Sequence, residues 1–114
     1  MKKEIADKWT KALRSGEYKQ GKFSLKAEGE YCCLGVLCDI SKQGIWVKAY
    51  AGDRYHLTAE INSGDMPSVS GFLPSKLEKW ADISSQCKLS RMNDKEKLSF
   101  LEIADYIDEN YQNL

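Results

Sequence analysis

The chain has no surplus of charge of either sign and no long apolar segment. Its 114 residues carry 17 lysines and arginines against 17 aspartates and glutamates. Binding of nucleic acid usually rests on an excess of basic side chains, so we expect no extended nucleic acid as a partner. Nowhere do about 18 apolar residues follow one another, and the amino terminus begins with an amphipathic pattern instead of an apolar signal core. We therefore expect no membrane association and a cytoplasmic location.

Residue types that carry catalysis are scarce. With a single histidine, a hydrolase triad would need His56 as its base, and the sequence has no Gly-x-Ser-x-Gly motif, no helix-borne histidine pair and no Gly-rich phosphate loop. Asp53, Glu60 and Asp65 flank the middle loop, and a pair of these carboxylates could handle protons. Loop carboxylates, however, are more often solvated turn formers. We expect a protein that is not an enzyme and that needs no cofactor.

Three of the four cysteines lie in one apolar run. Cys32 and Cys33 are adjacent and Cys38 follows five residues later, whereas zinc and redox sites usually place two thiolates about two to four residues apart. A mixed site would have to recruit Cys87 and His56. We expect instead no metal site, with reduced thiols that pack as small hydrophobic groups.

Apolar side chains recur at helical spacing in four segments, which are residues 3–15, 33–40, 75–81 and 99–111. Gly16 and Gly44 follow the first two segments and are expected as left-handed C-terminal caps. Gly35 lies inside the second segment at a cost of about 1 kcal/mol relative to alanine. This glycine indicates close packing against another backbone, and we expect the second helix to be the most buried element. Ser99 and Glu102 have the spacing of a capping box.

From residue 45 the apolar period changes to two, which predicts a hairpin over residues 45–58. Upstream, Phe23, Leu25 and Ala27 alternate with polar residues and predict a short strand or an extended connector. Residues 87–91 also alternate and predict a further strand. The composition of residues 62–70 is typical of a surface loop. We therefore predict a single α+β domain over residues 1–114, with three to four helices packed on a small antiparallel sheet.

The polar and aromatic face of the predicted hairpin is the main candidate ligand-binding site. Its residues are Trp46, Lys48, Tyr50, Arg54, Tyr55 and His56. Aromatic rings stack on nucleobases at about 1–3 kcal/mol per contact, and neighbouring Arg or Lys side chains can hold phosphate. In the alternative interpretation, Trp46 and Tyr50 close one side of the core and the charged side chains are solvated.

The polar segment of residues 91–94 is a second candidate site. Arg91 and Asn93 could reach a ligand from this segment. The alternative is a simple turn, because Asn and Asp side chains readily bond their own backbone. Lys19 and Gln20, just after the first predicted helix, form a third candidate.

Three groups of sequence strings resemble a family of small proteins of bacteriophages and prophages. The strings are Lys8-Trp9 through Ala12-Leu13-Arg14-Ser15-Gly16 with Tyr18-Lys19-Gln20, then Tyr31-Cys32-Cys33-Leu34-Gly35-Val36-Leu37-Cys38-Asp39, then Met92-Asn93-Asp94 with Ser99-Phe100 and Ile103-Ala104-Asp105-Tyr106-Ile107. The resemblance covers both ends of the chain and leaves residues 45–89 without a recognisable pattern. It implies a phage accessory protein, a class in which host takeover and counter-defence are common, and it brings no catalytic motif.

The leading hypothesis is a non-catalytic protein that sequesters a small nucleotide-type signal of host antiviral immunity in the host cytoplasm. One alternative is a protein that inhibits a host enzyme through a surface patch. The other is a small nuclease or nucleotide hydrolase that uses His56 with Asp53 or Asp65. Since a sheet this small has exposed edges that a second copy could cover, we also expect a homo-oligomer.

Overall fold

A computed structural model describes residues 1–63 and 71–114 of the chain. The helices are α1 (Lys3–Arg14), α2 (Cys33–Ser41), α3 (Ser75–Ala81), α4 (Gln86–Asp94) and α5 (Phe100–Asn110). The strands are β1 (Lys19–Gln20), β2 (Lys26–Ala27), β3 (Glu30–Tyr31), β4 (Gly44–Val47) and β5 (Arg54–Leu57), and short 3-10 helices span Thr58–Ser63 and Tyr111–Asn113. The predicted α+β class is confirmed, with one more helix than expected in the described part.

The strands form two small sheets instead of the single antiparallel sheet that we expected. In the first sheet, β3 lies between β1, with which it pairs in parallel, and β2, with which it pairs antiparallel. In the second sheet, β4 and β5 form the predicted hairpin, in which Trp46 faces Tyr55 and Val47 faces Arg54. The backbone N–H of Asp53 donates to the carbonyl of Lys26 at 2.7 Å, and this contact joins the hairpin to β2.

Helix α2 occupies the centre of the core, as predicted. All six residues from Cys33 to Cys38 are buried, and the Cys32 thiol accepts the backbone N–H of Gly35 at the start of the helix. A Cβ atom at position 35 would collide with the carbonyl oxygen of Leu25, so the predicted close approach of another backbone is confirmed. The cap prediction for Gly44 was wrong. Lys42 takes the left-handed conformation, with a φ of 54°, and Gly44 begins β4.

Helices α1 and α5 pack against one another beside α2. The indole N–H of Trp9, in a fully buried position, donates to the Cys33 carbonyl at 2.8 Å. On the outer surface Arg14 contacts Asp105 at 2.8 Å and Asp108 at 2.7 Å. Gly16 follows α1 with a φ of 77°, as expected for a C-terminal glycine.

The prediction of a strand at residues 87–91 was wrong, because this segment lies in α4. The alternation of Cys87, Leu89 and Arg91 imitated a strand, but only Leu89 of these three is buried. Leu89 shares its helix face with Met92 at a spacing of three residues, which is a helical period. The side chain of Gln86 fixes the start of α4 by accepting the N–H of Leu73 at 2.8 Å.

The capping box at the start of α5 is confirmed. Ser99 Oγ accepts the N–H of Glu102 at 3.2 Å, and Glu102 Oε1 accepts the N–H of Ser99 at 3.1 Å. Within residues 1–63 and 71–114, no helix has the length and apolar character needed to cross a membrane.

Candidate functional site

The side chain of Asn93 forms hydrogen bonds that connect the sequence strings resembling phage proteins. Its Oδ1 accepts the N–H of Cys33 at 3.2 Å and the side-chain N–H of Gln20 at 2.9 Å, and its Nδ2 donates to the Gly21 carbonyl at 2.9 Å. Gln20 in turn accepts the N–H of Phe100 at 3.1 Å. Since Asn93 is 0% exposed, its predicted role in ligand contact was wrong, and so was the alternative that residues 91–94 form a turn. Asn93 instead supplies an acceptor to a first-turn amide of α2, which has no partner within its helix.

The exposed side of α4 borders a shallow cleft of about 230 Å³. Phe72, Cys87, Ser90, Arg91, Asp94 and Lys95 line it. Arg91 and Lys95 make no ion pair with any carboxylate of the described residues. Among the described residues, the cleft therefore offers two cations without an ion-pair partner beside the exposed ring of Phe72. Of the predicted site residues, Arg91 lies here.

Phe23 is held on the surface next to this cleft. Its backbone takes the left-handed conformation, with a φ of 69°, and its side chain is 68% exposed. Asp94 fixes this conformation, because Asp94 Oδ1 accepts the Phe23 N–H at 3.0 Å and a side-chain N–H of Asn93 at 2.8 Å. Its other carboxylate oxygen accepts the Ser90 hydroxyl at 3.2 Å. Sequence reasoning grouped Phe23 with Leu25, yet Leu25 is buried and Phe23 is not.

The predicted ligand-binding face of the hairpin is not assembled as expected. The Trp46 indole N–H donates to Asp39 of α2 at 3.0 Å, and its ring packs edge-on against the buried Tyr55. Trp46 and Tyr55 therefore pack towards the core, as the alternative interpretation stated for Trp46. Because side chains alternate along a strand, Arg54 and His56 lie on the opposite face.

Arg54 and His56 share the outer face of the hairpin with Ile45 and Val47. Both side chains are partly buried. Arg54 Nε and His56 Nε2 are themselves buried and find no hydrogen-bond partner among residues 1–63 and 71–114. The alternation also places His56 and Asp53 on opposite faces, so the His56–Asp53 version of the hydrolase hypothesis is not brought together.

The carboxylate pair that the sequence suggested draws on Asp53, Glu60 and Asp65, of which the structure describes Asp53 and Glu60. Glu60 pairs with Lys76 at 3.3 Å, and Asp65 lies outside the described residues, together with most of the predicted loop at 62–70. Within the described ranges, no three His, Cys, Asp or Glu side chains come together in a way that could hold a metal ion.

Lys48 and Tyr50 lie beyond the end of β4, at the turn of the hairpin. They line a cleft of about 280 Å³ together with Glu28 and Asp53. The Tyr50 side chain is fully exposed, so it does not close the core. This cleft, which we name the turn cleft, has two carboxylates and one lysine, and that charge balance disfavours a phosphate ligand.

A cluster of aromatic side chains beside α2 was missed by the sequence analysis. The Tyr18 hydroxyl donates to Asp39 at 2.6 Å, and Asp39 also accepts the Trp46 indole. Burial and the Asp39 contact raise the pKa of Tyr18. The Lys26 ammonium lies 5.2 Å from the ring centre of Tyr31 and 5.5 Å from that of Trp46, within cation–π range. The available signal was that Tyr18, Tyr31 and Asp39 all belong to the strings that resemble phage proteins.

Three cysteines pack in the core, as predicted: Cys32 immediately before α2, and Cys33 and Cys38 within it. Burial raises the pKa of the Cys32 thiol to about 11 and raises the pKa values of Cys33 and Cys38 well above their usual value. Cys33 donates to the carbonyl of Leu89 at a Sγ–O distance of 3.6 Å. Cys87 is exposed. The buried thiols are therefore protonated at neutral pH and serve as packing groups.

Comparison with known proteins gives one match to a family. A family model described as Domain of unknown function (DUF8296) matches residues 1–93. No curated protein and no solved structure matches the chain. The matched segment contains Gln20, Cys33 and Asn93, which form the hydrogen-bonded junction described above.

Proposed function

Because the chain belongs to the DUF8296 family, whose description names no activity, we propose its function from the geometry of its surface. It is a non-catalytic phage or prophage accessory protein that binds a host protein in the host cytoplasm. Its docking surface consists of Phe23, Phe72, Arg91 and Lys95. The observation that carries this proposal is the exposure of Phe23 in a left-handed conformation that Asp94 holds in place.

The conformation of Phe23 is costly in two ways. A bulky residue at positive φ costs on the order of 1–2 kcal/mol, and an exposed phenyl ring forgoes about 1.5–3 kcal/mol of burial. Strained residues that the surrounding structure holds in place cluster at binding and catalytic sites. Asp94 supplies that support here with hydrogen bonds to Phe23, Ser90 and Asn93.

A protein surface fits the geometry better than an enclosed small ligand. The α4 cleft of about 230 Å³ is smaller than typical ligand pockets, which occupy roughly 300–1,000 Å³. Aromatic and arginine side chains carry much of the binding energy at protein interfaces. Since Arg91 and Lys95 have no carboxylate partner in the described part of the chain, the surface is complementary to an acidic partner that carries an apolar side chain to contact Phe23 and Phe72.

Sequestration of a nucleotide-type host signal remains a second candidate, now at the α4 cleft instead of the hairpin. It is favoured by Arg91 and Lys95 beside the ring of Phe72, since such cations can hold phosphate while the ring stacks on a base. Binding between two copies of the chain would enlarge the site, and we retain the prediction of a homo-oligomer. Sedimentation velocity on the purified protein measures this directly.

The test of the docking surface compares four forms of the chain as bait in lysates of a bacterial host. We expect a host protein to be captured by the wild type and by Leu101→Ala, which removes an exposed apolar side chain of α5. We expect Phe23→Ala and Arg91→Glu to lose that protein. With the purified partner, each of these two variants should raise the Kd at least tenfold. Equal affinity of all four forms would contradict the proposed surface.

A parallel thermal-unfolding screen separates the second candidate from the first. The purified chain is tested against cyclic dinucleotides, cyclic ADP-ribose isomers and mononucleotides. A ligand at about 100 times its Kd should add about 2.7 kcal/mol to the free energy of unfolding. A shift that Arg91→Glu abolishes and Leu101→Ala retains would support sequestration, whereas no shift in the panel leaves the protein partner as the function.

A further inference from the structure

The outer face of the hairpin holds two buried nitrogen atoms without a hydrogen-bond partner. They are Nε of Arg54 and Nε2 of His56, and neither atom makes a hydrogen bond within residues 1–63 and 71–114. Arg54 also forms no ion pair in these ranges. A buried polar atom left unsatisfied is costly, and native structures usually give such an atom a protein partner, a water or an ion. Two of them on one face therefore point to a ligand.

The core side of the hairpin fixes the position of these two side chains. The Tyr55 hydroxyl accepts the N–H of Gly44 at 2.8 Å and lies 3.3 Å from the Ser41 hydroxyl. Because successive side chains of a strand point to opposite faces, Arg54 and His56 lie together on the outer face. Two residues along a strand span about 6.6 Å, so one small group can reach both side chains.

The chemistry of this face selects an anion. Arg54 Nε–H can only donate and belongs to a permanent cation, and His56 Nε2 donates in one neutral tautomer and in the protonated ring. Across the hairpin, Ile45 lies opposite His56 and Val47 opposite Arg54. Aliphatic neighbours lower the local dielectric and thereby strengthen a charge-assisted hydrogen bond. Both basic side chains are only partly buried as a whole, so an anion can reach them from solvent.

We propose that Arg54 and His56 bind one phosphate group on the outer face of the hairpin. A phosphate monoester carries about −1.5 to −2 charges at pH 7 and three strong acceptor oxygens. Its tetrahedral oxygens can accept from Arg54 Nε–H and His56 Nε2–H at once, whereas a planar carboxylate is matched by the guanidinium fork alone. The site stands independently of the docking surface, because it uses none of the same side chains.

The experiment titrates inorganic phosphate into the full chain at constant ionic strength. ¹⁵N NMR follows the Nε–H of Arg54 and the ring nitrogens of His56, and we expect saturable shifts of both. Arg54→Lys keeps the charge but loses the planar fork of donors, and it should raise the Kd at least fivefold. His56→Phe keeps a ring without a donor and should raise the Kd severalfold. Methyl phosphate is the second probe, and its Kd relative to that of inorganic phosphate distinguishes a phosphoryl group of a larger molecule from free phosphate.

Matched controls exclude a general effect of charge. Lys48→Gln removes a cation of the same hairpin at the turn cleft and should change the Kd less than twofold, and acetate should bind at least fivefold more weakly than phosphate. The spectrum also reports whether each variant is folded, and His56→Phe tests the site if Arg54→Lys unfolds. The proposal is overturned if phosphate shifts neither side chain, if it shifts only the Nε–H of Arg91, if acetate binds as tightly, or if the folded Arg54 and His56 variants retain the wild-type Kd.

Discussion

Replacing Asn93 with alanine is expected to lower the free energy of unfolding by about 3 kcal/mol. The substitution removes the acceptor of the buried Cys33 N–H and the donor to the Gly21 carbonyl. A buried polar group left without its partner costs about 1–3 kcal/mol. The Cys33 amide should bear most of this cost, because Gly21 is only partly buried and water can reach it. Gln20 keeps its bond to the Leu98 carbonyl at 2.8 Å and adds little.

The measurement is urea denaturation followed by tryptophan fluorescence, which reports on the buried Trp9. For a domain of this size, about 3 kcal/mol is a large fraction of the total stability of roughly 5–15 kcal/mol. Asn113→Ala, at an exposed position near the chain end, is the matched control and should change stability by less than about 0.5 kcal/mol. Asn93→Asp keeps the acceptor but loses the donor and brings a second carboxylate beside Asp94, so it should also be destabilising. If Asn93→Ala behaved like the control, the junction would not stabilise the fold.

Two further predictions concern titratable groups in and around the core. Because the folded-state pKa of Tyr18 lies above its ordinary value of 10, the unfolded chain loses this proton first, so stability is retained below pH 10 and falls as the pH rises beyond it. Tyr18→Phe should flatten this fall in urea denaturation measured between pH 8 and 11, and an unchanged fall would refute a Tyr18 hydroxyl whose pKa is raised by burial and by its bond to Asp39. With Ellman's reagent at neutral pH, the native chain should show one fast thiol, which Cys87→Ser removes, while Cys33 and Cys38 react only on unfolding. Fast reaction of more than one thiol would contradict the packing of α2.

Much of the fold followed from local patterns in the sequence. Helices α1, α2, α3 and α5 each carry an apolar stripe or a cap that their own residues specify, and the β4–β5 hairpin follows from a change of period. Helix α4 was not predicted, because its apolar residue Leu89 lies between polar positions and this alternation imitates a strand. Only the packing of α4 on α2 reveals the helical period. Local propensity predicts secondary structure poorly where tertiary contacts dominate.

The candidate sites were harder to predict because long-range contacts determine them. The side of the hairpin that faces the core depends on the bond between Trp46 and Asp39 of α2, and no alternation within the hairpin encodes it. The docking surface depends on Asp94, which holds an amide 71 residues earlier in the chain. Arg91 was predicted as a site residue from its sequence context, whereas Phe23 and Phe72 became candidates only through their exposure in the folded chain.

The position of Asn93 also affects the order in which the chain can fold. Its side chain bonds groups that lie 60, 72 and 73 residues earlier, and closing such long loops costs entropy before any contact compensates for it. During synthesis, the Cys33 N–H in the first turn of α2 therefore lacks its acceptor until α4 has left the ribosome. The Gln20 side chain of β1 completes its bonds later still, since it also bonds Leu98 and Phe100. The two ends of the chain should thus become ordered together, in one late step.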